Sequence, residues 1–223
     1  MPTMPRIGAG GIVYHALNRA NERATLFGSP GDYLAFEEVL REAKQRHPEV
    51  EIFSFCIMPN HWHFALRTER DGVVSDFMHW LTTTHAKRWR AFRRSEGHGH
   101  LYQGRFKSFP VQDDAHFLTL CRYIERNPLR ANLVQQAEHW RWSSLWYRLN
   151  GSVDQRSILS PWPVPQPHAY LEWVNTLQSS SECEEIRTCV ARGIPFGDPA
   201  WSRTIAEQLG ILVTPRPRGR PRK

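Results

Sequence analysis

The stretch Cys56-Ile57-Met58-Pro59-Asn60-His61-Trp62-His63-Phe64-Ala65-Leu66 decides how this chain is to be folded. An apolar run before Pro59-Asn60 and an alternating run after it read as two strands joined by a tight turn. Alternation along the second strand sends His61 and His63 to one face and Trp62 and Phe64 to the other. The two imidazoles then lie roughly 6–7 Å apart, close enough to share a metal ion if a third ligand approaches from a neighbouring element. The same pattern also describes two ordinary polar-face histidines on a half-exposed strand. A second feature has to decide between these readings.

Outward from the hairpin, apolar periodicity predicts a strand over 12–17, a helix over 32–46, strands over 51–57 and 61–67, a helix over 73–94 and a strand over 106–111. This β-α-β-β-α-β order is α+β and ferredoxin-like, an antiparallel sheet with helices on one face and the histidine strand held centrally. A further helix follows Asp113-Asp114, both good N-caps, with apolar residues at Phe117, Leu120, Cys121 and Ile124. Pro128 is expected to stop it at or just before Asn127, after about four turns. Tyr123 and Asn127, four apart, share a face of that helix. Laid across the sheet, the helix would bring both toward His61 and His63.

Together, Asn60-His61-Trp62-His63-Phe64 and Arg122-Tyr123-Ile124-Glu125-Arg126-Asn127-Pro128-Leu129-Arg130-Ala131 resemble the REP-associated tyrosine transposases, single-tyrosine HUH enzymes related to the small insertion-sequence transposases. Tyr14-His15, Asn18-Arg19, the segment from His100 to Ser108 and Trp142-Ser143-Ser144 add to the likeness, which covers the first 150 residues or so densely; Phe196-Gly197, Trp201 and Leu209-Gly210 extend it. The resemblance implies that His61 and His63 are metal ligands, Asn127 the third ligand, and Tyr123 the nucleophile. In such enzymes the tyrosine attacks a phosphodiester of single-stranded DNA, giving a 5′-phosphotyrosine link and a free 3′-hydroxyl. The residue types suit that work. A divalent ion steadies the charge that builds on the phosphate, and a phenol of pKa about 10 is a good enough leaving group to allow rejoining without net hydrolysis. A hard phosphate substrate and an amide ligand point to Mg²⁺ or Mn²⁺ as the cofactor.

Composition narrows the classes. The chain has 223 residues, 40% of them hydrophobic, and a net charge of +7 that favours a polyanionic partner. It contains no apolar run of membrane-spanning length and no secretory signal pattern at Met1-Pro2-Thr3-Met4-Pro5, so a cytoplasmic, nucleoid-associated protein with no membrane or small-molecule partner is expected. The four cysteines show no C-x2-C pair, which argues against structural zinc. His98-Gly99-His100 repeats the H-x-H spacing in a glycine-containing loop too flexible to preorganise a site.

Candidate DNA contacts are Asn18, Arg19, Lys87, Arg88, Arg90, Arg93, Arg105, Lys107 and Arg122. In the 87–94 segment Trp89 and Phe92 are interleaved with the cations, either to stack on bases or to pack in the core. The end of the chain adds Arg216, Arg218, Arg220, Arg222 and Lys223 around an Arg-Gly-Arg-Pro core that resembles an AT-hook. Glycine there lets the backbone lie on the floor of a narrow minor groove. The expected organisation is a catalytic domain over 1–149, a Pro/Gly/Ser-rich linker over 150–168, a helical appendage over 169–214 and a basic tail over 215–223. The function that the resemblance implies is metal-dependent cleavage and strand transfer at repetitive extragenic palindromic hairpins, with a monomer favoured and a dimer left open. A regulator that keeps the fold and binds DNA without cutting is the alternative, and a chromatin-like structural protein would leave the histidines unexplained.

Overall fold

The computed structural model describes residues 8–94 and 99–211. Its centre is a four-stranded antiparallel sheet of β1 (Val13–Arg19), β2 (Glu51–Met58), β3 (His61–Arg67) and β4 (Lys107–Val111), in the spatial order β2-β3-β1-β4. This is the ferredoxin-like order, with β3 inside the sheet. Pro59 and Asn60 close the β2–β3 hairpin, where Met58 stands opposite His61. Helices α1 (Pro30–Arg46) and α2 (Val73–Arg93) supply the two crossovers. Pro30 at the first turn and the Asp32 carboxylate, which accepts from the Ser29 amide at 2.9 Å, start α1 where the sequence places it. The predicted bounds of these elements are met within two residues.

Two details differ from expectation. Helix α3 (Ala115–Glu125) is capped by Asp114, which accepts from the His116 amide at 2.7 Å, and stops just before Asn127 as expected, but its 11 residues make about three turns instead of four. Arg126 stays near helical geometry, and Pro128 sits in the first turn of a short α4 (Asn127–Arg130). Proline cannot donate to the carbonyl four residues back, yet it suits a helix start, so it restarts the helix instead of ending it. The second difference is coverage. Helices α1 and α2 lie on one face, where Tyr14, Phe55, Trp62 and Phe64 are buried with Phe36 and Phe77. The opposite face is covered too, because Val13, Phe53, Ala65 and Phe109 are apolar and need burial as well. There Phe117, Leu120 and Ile124 of α3 pack against them.

That second core continues past residue 150. Helix α5 (Ser144–Asn150) and the short α6 (Val153–Ser157) lead into a segment lying along β2, held by Ser160 N–H donating to Ile52 O at 2.8 Å and the Trp162 indole donating to Phe53 O at 2.9 Å. Tyr170 and Val174 of α7 (Tyr170–Asn175) and Ile186 and Cys189 of α8 (Ser180–Arg192) join the core beneath α3. Phe196 then bridges to Val111 on β4 ahead of α9 (Pro199–Gln208). All four cysteines are buried and unbridged. Among the described residues no helix is long and apolar enough to cross a membrane.

Candidate active site

Strand alternation does what the sequence demands: Trp62 points into the α1/α2 core, and the His61 and His63 rings lie together on the opposite face with centroids 5.0 Å apart. Each ring is held by its Nδ1. His61 Nδ1–H donates to Asn60 Oδ1 at 2.6 Å, and His63 Nδ1 lies 2.9 Å from Nε2 of His15, which stands diagonally across on β1. The His15 and His63 planes are within 10° of parallel. Neither Nε2 of the pair has a hydrogen bond among the described residues. Burial, reinforced by Arg19 and Arg130, pushes His61 down to about 4. Burial likewise holds His63 well below the usual imidazole range and His15 at about 3. At neutral pH all three are neutral, and because Asn60 Oδ1 can only accept, His61 carries its proton on Nδ1 and keeps on Nε2 the lone pair that a metal ion needs.

Behind the pair, the Trp62 indole donates to Tyr102 Oη at 3.1 Å, and that hydroxyl is hydrogen-bonded to Nδ1 of His85 at 2.7 Å. This chain fixes the residue between the two histidines from the far side of the sheet.

Helix α3 lays Tyr123 edge-on to the histidines, its ring centroid 6.1 Å from His63 and 6.5 Å from His15. The side chain is 6% exposed, and its hydroxyl has no hydrogen bond among the described residues. The Arg130 guanidinium lies over the Tyr123 ring, 4.2 Å from its centroid, and donates through Nη2 to Asn127 Oδ1 at 3.0 Å. Asn127 is buried. It is tied to this group through Arg130 and makes no hydrogen bond to either histidine. Among the described residues no three His, Cys, Asp or Glu side chains cluster as a metal site. Two neutral imidazoles and an amide oxygen fit a divalent ion that keeps open positions for phosphate.

This geometry can be set beside known proteins. A family model described as "Transposase IS200 like" matches residues 10–127, which span the sheet and the helix carrying Tyr123. The chain belongs to the IS200-like transposase family. Its fold is shared with a solved REP-associated tyrosine transposase bound to a REP hairpin: 19% identity, TM-score 0.55, covering 81% of this chain and 96% of that one. A putative transposase from Deinococcus radiodurans R1 aligns with 19% identity over 56% of this chain and 96% of its own, at a TM-score of 0.39. Comparison with curated proteins gives no match.

The cations of this transposase divide by environment. Arg122 is 3% exposed, and its guanidinium donates to Trp173 O and Thr176 O, both at 2.8 Å; it braces α3 against α7, and the expected DNA contact is corrected accordingly. Asn18 is corrected for the same reason, since it is buried, donates to Gly104 O at 3.2 Å and accepts from the Arg19 amide at 2.9 Å. Arg88 pairs with Glu42 and Arg93 with Asp32, fastening α2 to α1. Trp89 donates to Leu26 O at 2.9 Å, whereas Phe92 is 82% exposed. Lys87, Arg90 and Arg105 line a cleft of about 460 Å³ between α2 and the 101–105 segment. Lys107 is exposed on β4, and Arg19 is half-buried opposite His61. Arg216, Arg218, Arg220, Arg222, Lys223 and His98 lie outside the described residues. The sequence reading gave no role to His15 or Arg130.

Proposed function

We propose that this transposase is a metal-dependent, single-strand DNA endonuclease and strand transferase that cuts at repetitive extragenic palindromic hairpins through a 5′-phosphotyrosine at Tyr123. The observation that carries the reading is an unbonded phenol set against two neutral histidines whose Nε2 atoms are free. In this reading His61 and His63, with Asn127 as third ligand, hold Mg²⁺ or Mn²⁺. Bound there, the ion polarises the scissile phosphate and lowers the cost of the departing 3′-oxygen. In this reading His63 donates its Nδ1–H to His15 Nε2, 2.9 Å away, the tautomer that leaves Nε2 of His63 to coordinate. Tyr123 attacks phosphorus, and because its ester remains reactive, a 3′-hydroxyl returning to the same phosphorus rejoins the strand.

The hairpin substrate is supported by the fold shared with a transposase described as bound to a REP hairpin. Arg19, Lys87, Arg90, Arg105 and Lys107 are the proposed strand contacts, with the basic tail over 215–223 guiding the stem. The catalytic unit over 1–149 is braced by the helices after 169, across the segment 150–168. A cytoplasmic monomer completes the proposal.

The test is a denaturing gel of end-labelled hairpin DNA with wild type, Tyr123→Phe and the His61→Ala/His63→Ala double variant, in Mg²⁺, Mn²⁺ or EDTA. A protein-linked product that needs both the phenol and the metal is expected. Tight binding with no cleavage under any condition would instead assign the chain to the non-cutting regulators.

A further inference from the structure

We infer that Arg130 is a catalytic residue: its guanidinium clamps a non-bridging oxygen of the scissile phosphate beside Tyr123. This rests on the cleavage reading above and concerns a residue which that reading leaves without a role.

The argument starts from an unfilled hydrogen bond. Arg130 spends Nη2 on Asn127 Oδ1, but its Nη1 is buried and has no partner among the described residues. Buried guanidinium nitrogens are nearly always bonded, because an unmet donor loses its hydration and gains nothing in return. No Asp or Glu forms an ion pair with Arg130 among the described residues, although other arginines of the chain, such as Arg67 with Glu51 and Arg93 with Asp32, do find carboxylates. The side chain is held in place regardless, by the Asn127 amide and by the Tyr123 ring 4.2 Å below it. A fixed cation with a free N–H therefore stands among the nucleophile and the three proposed ligands.

The missing partner is an anion that arrives with the substrate, and a phosphodiester oxygen has the right chemistry. Guanidinium is planar, permanently charged and matched to phosphate oxygens. In the step itself the Tyr123 Oη–P bond forms and the P–O3′ bond breaks with its electron pair going to O3′. The phenol proton is released to water and O3′ takes one up, so the sum is an exchange needing no further reactant. Negative charge accumulates on the non-bridging oxygens midway, where a preorganised donor stabilises more than it does in the ground state. The bond to Asn127 has a second effect: it fixes the amide with Oδ1 toward Arg130, and that oxygen retains another lone pair.

The experiment compares wild type, Arg130→Ala and Arg130→Lys as full-length chains in single-turnover formation of the protein–DNA adduct with saturating hairpin. Arg130→Ala is expected to lose on the order of 10²–10³ in rate, the usual loss for one oxyanion donor, while affinity for uncleaved DNA changes by less than about tenfold. Guanidinium ion at tens of millimolar should restore part of the alanine variant's rate but add nothing to the lysine variant. In a Tyr123→Phe background, where DNA stays uncut, Arg130→Ala should reduce the slope of log affinity against log salt by about 0.7, the value for one single-strand phosphate contact. A rate within about threefold of wild type, or a loss with no guanidinium rescue and an unchanged salt slope, would overturn the role of Arg130 while leaving the cleavage reading intact. Absence of adduct from wild type would remove that reading, and this inference with it.

Discussion

His85 offers a sharp physical test of the packing behind the His61/His63 strand. It is 2% exposed, hydrogen-bonded to Tyr102 through Nδ1, and is pushed by burial from an ordinary 6.5 down to about 3. A base with a depressed native pKa contributes stability that is complete above its unfolded value and is lost as pH falls, because the unfolded chain binds the proton first. At pH 4.5 the unfolded imidazole, two units below its pKa, is almost fully protonated while the native one is neutral. This costs about 2.7 kcal/mol, or about 2.5 kcal/mol relative to pH 7. Any native value below about 4 gives nearly the same figure, so the forecast depends on burial more than on the exact pKa. His85→Gln keeps an acceptor for the Tyr102 hydroxyl and removes the titration. Its cost at pH 7, about 1–2 kcal/mol from imperfect packing and bonding, should reverse at pH 4.5, where wild type has lost about 2.5 kcal/mol that the variant keeps. Urea unfolding followed by tryptophan fluorescence at the two pH values measures both proteins, and the other buried histidines cancel in the difference. If wild type and His85→Gln lose equal stability between pH 7 and 4.5, His85 is not held neutral and the hydrogen-bonded chain to Trp62 is misdescribed.

Three further outcomes are expected. Glu125, fully buried, accepts from Ser144, Ser54 and Tyr170; Glu125→Ala should cost about 3–5 kcal/mol in denaturant unfolding, and Glu125→Gln, which keeps an acceptor, about half as much. His15→Ala removes the acceptor behind His63 and should weaken Mn²⁺ binding 10–100-fold, read by electron paramagnetic resonance of free Mn²⁺; unchanged affinity would deny His15 its orienting role. Lys87→Ala/Arg90→Ala should lower the salt slope of single-strand binding by about 1.4, whereas Arg88→Ala, already paired with Glu42, should leave it unchanged.

The hairpin and sheet order were legible because period-2 alternation survives any tertiary context, and His61-Trp62-His63 shows it with side chains of opposite character. The restart at Pro128 was less legible, since proline marks the end of one helix and the first turn of another equally well. Arg122 and Asn18 were misjudged because charge and polarity do not reveal burial; only the position of α7 and of the 101–105 segment shows where their donors go. His15 was hidden for a similar reason. Its pairing with His63 depends on the β1–β3 register, which alternation alone does not supply. Arg130 could have been found: Tyr123, Asn127 and Arg130 follow the i, i+4, i+7 spacing of one helix face.

Helix α3 is gripped from beneath by the C-terminal region. Arg122 and Arg126 donate to carbonyls of residues 173–176, and Tyr170 donates to Glu125 at 2.7 Å, so the residues flanking the nucleophile on both sides are anchored. If letting go of these bonds costs even about 5–6 kcal/mol, the loosened helix exists in only about one molecule in ten thousand. Under the proposed cleavage reading, the phenol therefore behaves as a fixed post and the DNA as the moving part: between cutting and joining it would be the strand ends that trade places around Tyr123. The pace of exchange would then be set by the flexibility of the nucleic acid between its hairpin and its cut, a property that the length of the unpaired spacer can tune without touching the protein.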